Sequence, residues 1–246
     1  MITKNQIKYL RSLHQKKYRK RYGEFIAEGE KTVLELLGSQ FQLSTIYGRE
    51  DWINEHRHLI DKRQVEAYSI STKDLERISA FNTPNQVLAL CPLPEEALPG
   101  PIKTGFHLAL DRIQDPGNLG TIIRTADWFG ANSIILSPNC VDPFNNKTVQ
   151  ASMGSLFRVR LFFDELENLE SQIPILASSL NGQSIYENPL PQDCILMIGN
   201  ESQGLSTELE EIADTLVKIP SFGKAESLNA AVATSILAAE IRRPRS

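Results

Sequence analysis

No apolar run in the sequence approaches the roughly 20 residues needed to cross a bilayer, so no membrane-spanning helix is expected. Cysteine is scarce: Cys91, Cys140 and Cys194 are isolated and odd in number. That argues against a disulfide framework or a zinc site and fits buried thiols in a reducing compartment, so a cytoplasmic location is expected. No cluster of metal-ligating side chains stands out, and no metal is expected. No Gly-x-Gly-x-x-Gly follows an apolar stretch, which argues against a nucleotide-binding oxidoreductase. Gly223-Lys224 has the ending of a phosphate-binding loop, but Lys218 stands where its first glycine belongs and Ala225 where Ser or Thr belongs. The opening MITKNQIKYL is basic without an apolar core, so it does not read as a secretory signal. Acidic residues are missing from residues 1–22, which carry Lys4, Lys8, Arg11, Lys16, Lys17, Arg19, Lys20 and Arg21. The rest of the chain holds 18 basic and 30 acidic residues. A basic arm on an acidic body suits a polyanionic partner met at one end. Arg242, Arg243 and Arg245 add a second, weaker basic point.

The 246 residues are enough for two modest domains with a sizeable core, at 41% hydrophobic and 23% charged composition. Periodicity predicts a helix over 3–21, a strand at Gly23–Ala27, a helix at Glu28–Leu37 and a strand at Leu43–Tyr47. A helix over Asp51–Ile60, a strand at Val65–Ile70, a short helix from a capping box at Ser71–Asp74 and a strand at Gln86–Leu90 follow. Pro92, Pro94, Pro99 and Pro101 then mark an extended linker. The expected organisation is a small α/β domain over 1–91, a linker over 92–103 and a second domain over 104–246. In the second domain, strands are predicted at Phe106–Leu110, Ser133–Leu136, Phe157–Leu161, Pro174–Ala177, Cys194–Ile198 and Leu216–Ile219. Helices are predicted over Asn118–Phe129, Lys147–Ser152, Asp164–Glu170, Thr207–Ala213 and Ser227–Arg242. Near-continuous apolar strands between helices imply a parallel sheet covered on both faces.

Three polar, glycine-bearing stretches lie where ligands bind in such sheets, beyond the strands' carboxyl ends. In Asn118-Leu119-Gly120-Thr121-Ile122-Ile123-Arg124, Asn118 is expected to cap a helix and Arg124 to lie near the same face two turns on. Gly199-Asn200-Glu201-Ser202-Gln203-Gly204-Leu205 puts an amide and a carboxylate at a strand end. Ile219-Pro220-Ser221-Phe222-Gly223-Lys224-Ala225-Glu226-Ser227-Leu228-Asn229 leads into the last helix, with Ser227 the expected N-cap. Free N–H donors at a helix start could also bind a ligand.

Asn-x-Gly-x-x-x-Arg, Gly-Asn-Glu-x-x-Gly-Leu and Ile-Pro-x-x-Gly-x-x-Glu-Ser-Leu-Asn-x-x-x-Ala, in this order, resemble the motifs of the SpoU (TrmH-like) RNA ribose 2′-O-methyltransferases of the SPOUT superfamily. The resemblance covers residues 106–243, including Ser137-Pro138-x-Cys140-Val141-Asp142-Pro143 and Ala151-Ser152-Met153-Gly154-Ser155. Residues 4–90, with Lys16-Lys17-Tyr18-Arg19, Glu28-Gly29 and Thr83-Pro84-Asn85-Gln86-Val87, are less specifically similar to the L30e-like substrate-binding domain of many members. The resemblance implies a deep trefoil knot in the second domain, which no spacing argument would suggest. It implies S-adenosylmethionine held by Ala177, Ser178, Ser179, Gly199, Asn200, Gly204, Ile219, Ser227 and Leu228, and a homodimer through the C-terminal domain. It makes Arg124 the residue that activates the ribose hydroxyl, with Asn118, Glu201, Ser227 and Asn229 orienting it and the ribose. A guanidinium is a poor base, so Arg124 is expected to pair with phosphate or developing alkoxide. Lys16, Lys17, Arg19, Lys20 and Arg21 are expected to hold RNA phosphates. The expected substrate is large-subunit rRNA, with tRNA, or a non-catalytic RNA-binding role, as the alternatives.

Overall fold

The computed structural model describes residues 2–244 except 82, 84, 95 and 96. Pro84 of the Thr83–Val87 stretch, Glu95 and Glu96 next to the linker prolines, and Arg245 lie outside the described residues. The chain forms two compact units, Met1–Glu95 with Asp142–Arg158, and Glu96–Val141 with Val159–Ser246.

The first unit starts with a broken helix. Periodicity alone predicted one helix over 3–21; the structure has α1 (Lys4–Ser12) and α2 (Lys16–Tyr22). Thr3 opens α1 with a capping box to Gln6. The break falls where Leu13 is fully buried and the His14 ring hydrogen-bonds the Ile78 carbonyl at 2.6 Å. Gly23, at φ 67°, closes α2 in the left-handed conformation that glycine adopts without strain. There follow β1 (Glu24–Glu28), α3 (Glu30–Gly38), β2 (Thr45–Gly48), α4 (Glu50–Glu55), α5 (Arg57–Arg63), β3 (Glu66–Ser69), α6 (Thr72–Ile78) and β4 (Val87–Pro92). The four strands order β1-β4-β2-β3, with only β2–β3 parallel. Pro92, the first residue of the expected linker, still pairs with Glu24 at the end of β4.

Residues 142–158, expected within the second domain, belong to this first unit. The reason is packing. The Phe144 ring sits 4.8 Å from Phe25, and Phe157 sits 5.4 Å from Phe41. Asp142 pairs with Arg19 at 2.6 Å, and Arg158 with Glu35 at 2.6 Å.

The second unit is a six-stranded parallel sheet. Its strands are β5 (Phe106–Leu110), β6 (Ser133–Leu136), β7 (Arg160–Phe163), β8 (Ile175–Ser184), β9 (Cys194–Ile198) and β10 (Thr215–Lys218), in the order β10-β8-β9-β5-β6-β7. Its helices are α7 (Pro116–Trp128), α9 (Thr207–Glu211) and α10 (Ala230–Ile241); α8 (Asn146–Ala151) lies in the first unit. Strand β7 starts three residues later than predicted, because Ser155–Phe157 form a 3-10 turn. The helix predicted over Asp164–Glu170 reduces to one 3-10 turn at Leu166–Asn168. Leu166 and Leu169 anchor that short segment in the apolar cluster of Ala109, Ile135, Phe162, Ile195 and Met197. Strand β9 and most of β5 are fully buried, as a sheet covered on both faces requires.

Candidate active site

Three loops of the second unit line one cavity of about 900 Å³. Each has an identifiable local cause.

The first loop comes from a skip in the β8–β10 ladder. Ala177 pairs with Leu216, but the next residue of β10, Val217, pairs with Gln183. Residues 178–182 therefore leave the register, and Ser178, Ser179, Leu180 and Asn181 face the cavity. Gly182 permits the return: a Cβ there would lie 2.5 Å from the Leu216 carbonyl carbon and the Val217 nitrogen.

The second loop follows β9. Asn200 N and Gly204 N exchange hydrogen bonds with each other's carbonyls at 3.1 and 2.8 Å, which folds the loop back on itself. A Cβ on Gly199 would lie 2.2 Å from the Gly204 carbonyl carbon, so only glycine fits. Arg112, in the loop after β5, pins this turn and was not singled out from sequence. Its Nη1 donates to Gln203 Oε1 at 2.7 Å, its Nη2 to the Gly204 carbonyl at 3.2 Å and its Nε to Asp111 at 2.9 Å. Its carbonyl accepts from Asn200 Nδ2 at 3.1 Å. Arg112 adopts φ 54°, a left-handed conformation that costs a non-glycine residue of order 1 kcal/mol. Arginine carries no signal for such a turn, so only the structure shows it.

The third loop runs from Ile219 to Asn229 without regular structure, and Ser221 to Asn229 are all exposed. Here the expected cap is corrected. Asn229, not Ser227, is the N-cap of α10: its Oδ1 accepts from Ala231 N at 3.0 Å and Val232 N at 3.3 Å. Ser227 lies two residues upstream, with its side chain on the cavity.

Asn118 is likewise not a cap. Asp115 caps α7 by accepting from Asn118 N at 2.8 Å, and Pro116 takes the first helical position, where no N–H is needed. This frees the Asn118 side chain, whose Nδ2 donates to Glu201 Oε1 at 2.5 Å. Its Oδ1 accepts from Asn229 Nδ2 at 2.9 Å. Asn118 thus ties the second and third loops to the start of α7. The three motifs, far apart in sequence, meet through one side-chain amide.

Arg124 stands apart from that set. Six residues at 100° per residue turn it about 120° around α7 from Asn118, so the two do not share a face. Its side chain is exposed and makes no hydrogen bond or ion pair with Asn118, Glu201 or Asn229. It remains a cation free to meet a ligand.

Of the residues expected to hold a cofactor, Ser178, Ser179, Gly199, Asn200, Gly204, Ile219, Ser227 and Leu228 line the cavity. Ala177 does not; it is fully buried in the ladder just before the loop. Phe222, 96% exposed, also lines the cavity and was not singled out. The donor set suits S-adenosylmethionine. Turned-back backbone at residues 199–204 offers polar groups, and Ile198, Leu205 and Ile219 offer apolar walls for a planar base.

In the first unit, Lys16, Lys17, Lys20 and Arg21 are exposed. Arg19 is not available to RNA. It is 3% exposed, chelates Asp142 Oδ2 through Nε and Nη2 at 3.0 and 2.6 Å, and donates to the Leu13 carbonyl at 2.8 Å.

Residues 105–239 match the SpoU rRNA Methylase family, and residues 4–89 match the MRM3-like substrate binding domain. The chain is 35% identical to the 23S rRNA (guanosine(2553)-2′-O)-methyltransferase RlmP of Bacillus subtilis, covering 98% of this chain and 97% of that one. It is 30% identical to the 23S rRNA (uridine(2479)-2′-O)-methyltransferase of Streptomyces viridochromogenes, over 92% and 85% of the two chains. The AdoMet-bound crystal structure of an rRNA methyltransferase from Sinorhizobium meliloti superposes with a TM-score of 0.84 and 32% identity, covering 99% of this chain and 96% of that one.

Proposed function

The chain belongs to the SpoU rRNA methylase family of S-adenosylmethionine-dependent RNA methyltransferases, and we propose that it methylates a ribose 2′-hydroxyl in large-subunit ribosomal RNA. The observation that carries this reading is the meeting of the three motif loops through Asn118, at the edge of a cavity lined by the expected cofactor-binding residues.

When bound, the cofactor supplies an electrophilic methyl on a sulfonium that leaves as a neutral thioether. As its oxygen takes the methyl, the ribose hydroxyl would give up its proton to solvent water, and the chain's own residues then have two tasks: to hold the ribose in line and to carry the charge that grows on its oxygen. Arg124 is exposed and makes no ion pair among the described residues, and a guanidinium keeps its charge at physiological pH. It therefore serves as the electrostatic partner of the target phosphate and the developing alkoxide. Glu201 uses one carboxylate oxygen on Asn118, and its Oε2 accepts from no described residue. That free oxygen suits accepting a hydrogen bond from the ribose hydroxyl. Ser227, exposed on the cavity, supplies a further hydroxyl.

A homodimer through the second unit is part of the same proposal. Helix α10 (AAVATSILAAEI) is apolar almost all round, as a helix covered on every side would be. Val232 is 47% exposed, and Trp128, at the end of the adjoining α7, is 84% exposed. Sedimentation at micromolar concentration checks it. The knotted path implied by the resemblance is also proposed. A cytoplasmic location is supported by three buried, unpaired thiols; burial pushes Cys194 up to about 12.

The test is transfer of labelled methyl to unmodified large-subunit rRNA, small-subunit rRNA and tRNA, fractionated separately, with Arg124→Ala as control. Label in large-subunit rRNA that R124A loses is the expected result. Label confined to tRNA, or undiminished in R124A, overturns the substrate or the assignment respectively.

A further inference from the structure

The basic helix α2 carries rings as well as charge. Its sequence KKYRKRY sets three neighbouring pairs one turn apart: Lys16 with Lys20, Lys17 with Arg21, and Tyr18 with Tyr22. The Tyr18 and Tyr22 rings stack, 6.2 Å between centroids and 13° between planes. Tyr9 of α1 meets Tyr22 edge-on at 5.0 Å, and its hydroxyl donates to Glu24, which fixes the floor of the cluster. Tyr22 nevertheless keeps 44% of its surface in solvent. Lys17 Nζ lies 4.7 Å from the Tyr18 centroid, and Arg21 Cζ lies 5.7 Å from the Tyr22 centroid. Arg19, within the same turn, is turned inward to Asp142 and contributes nothing outward.

We propose that Tyr22, backed by Tyr18, is a stacking platform for an unpaired nucleobase of the RNA substrate, with Lys17, Lys20 and Arg21 on the adjoining phosphates. The inference rests on the RNA reading above and narrows it to a single-stranded or bulged segment. A tyrosine cluster that served only the core would not be ringed by exposed cations. A face that served only solubility would not need stacked rings. Together they match the two parts of a single strand, a planar base and a charged backbone. A continuous duplex hides its base faces, so this surface selects unpaired nucleotides. In the free protein Arg21 occupies the ring by a cation–π contact. On binding, the base takes that place and Arg21 turns to a phosphate.

The test uses the full chain and fluorescence anisotropy. One probe is a labelled 10-nucleotide RNA of mixed A and C, which cannot pair with itself; the other is the same strand annealed to its complement. Tyr22→Ala is expected to weaken single-strand binding at least about fivefold, the lower end of one base–aromatic stack, and to leave duplex binding unchanged. The slope of log affinity against log salt stays that of the wild type, because no phosphate contact is lost. Lys20→Ala instead flattens that slope by about 0.7, the value for one phosphate on a single strand. Tyr22→Phe, which keeps the ring, restores the affinity and separates stacking from damage to the fold. Single-strand binding that Y22A retains, or that Y22F fails to restore, overturns this inference alone. A wild-type chain that binds neither RNA also overturns it, and leaves the functional reading to be decided by the methyl-transfer test.

Discussion

Asn118 uses both ends of one amide, and nothing else in the site joins so many separate pieces of chain. Asn118→Ala leaves Glu201 without its donor and Asn229 without its acceptor. Both groups reach water, so the stability cost is only about 1 kcal/mol. Methyl transfer should fall by more than about tenfold, because the loops no longer share one register. Unfolding in denaturant and single-turnover transfer measure the two separately; a turnover loss no larger than the stability loss would contradict this role. Arg112 acts one step further from the cavity. Arg112→Ala removes its fork to Gln203 and Gly204 and keeps the strained backbone. The expected result is a cofactor KM raised several-fold with kcat at saturation nearly unchanged. Arg112→Gly should be more stable than R112A by about 0.5–1 kcal/mol, since glycine accepts φ 54° without strain. Equal stability of the two would mean the conformation is not held in solution. Asn118, Glu201 and Asn229 were legible because their motifs lie in fixed order. Arg112 was not, because its importance comes from a backbone angle and from partners about 90 residues away.

The elements differ in how openly the sequence announces them. Strands β5, β6 and β9 begin and end as predicted, because each is a short apolar run bounded by polar residues. Strand β8 was legible only to Ala177; Ser178-Ser179-Leu180-Asn181-Gly182 reads as loop, and pairing with β10 resumes beyond it. The expected N-cap of α7, Asn118, lies three residues after the observed Asp115, and that of α10, Ser227, lies two residues before the observed Asn229. Ser, Asn and Asp all cap well, and neighbouring candidates are separated by three-dimensional fit rather than propensity. Arg124 does not share the face of Asn118 that the motif spacing suggests, because six residues of helix turn it about 120° away. Glycine makes the sharpest prediction at this scale. Gly199→Ala puts a methyl 2.2–2.4 Å from three backbone atoms of Gly204 and Leu205, so the loop must open. Calorimetry with S-adenosylmethionine should show binding lost in G199A. Gly223→Ala, in the third motif but with open space around its Cβ, should leave the unfolding midpoint unchanged. Tight cofactor binding by G199A would contradict the geometry of the second loop.

At the scale of the whole molecule, the division into two domains was legible from the proline cluster, but the course of the chain was not. Residues 142–158 are taken into the first unit by Phe144, Phe157 and Asp142, and partners 116–123 residues away leave no local pattern. The same distance hid the role of Arg19, which sequence reading grouped with its exposed neighbours. Arg19→Ala leaves a nearly buried Asp142 uncompensated and should cost about 3–5 kcal/mol in unfolding free energy. Lys20→Ala, on the exposed side of α2, should change it by less than about 0.5 kcal/mol. Comparable small effects from both would return Arg19 to the RNA-facing set. The central claim concerns the atom that receives the methyl group. Alkali cleaves RNA only through a free 2′-hydroxyl, so the position of the label can be read chemically. Large-subunit rRNA labelled by the wild-type chain should be hydrolysed in alkali and its products separated. Label in an alkali-resistant dinucleotide, absent when R124A is used, is the predicted result. Label released as a mononucleotide would place the methyl on a base and contradict the account.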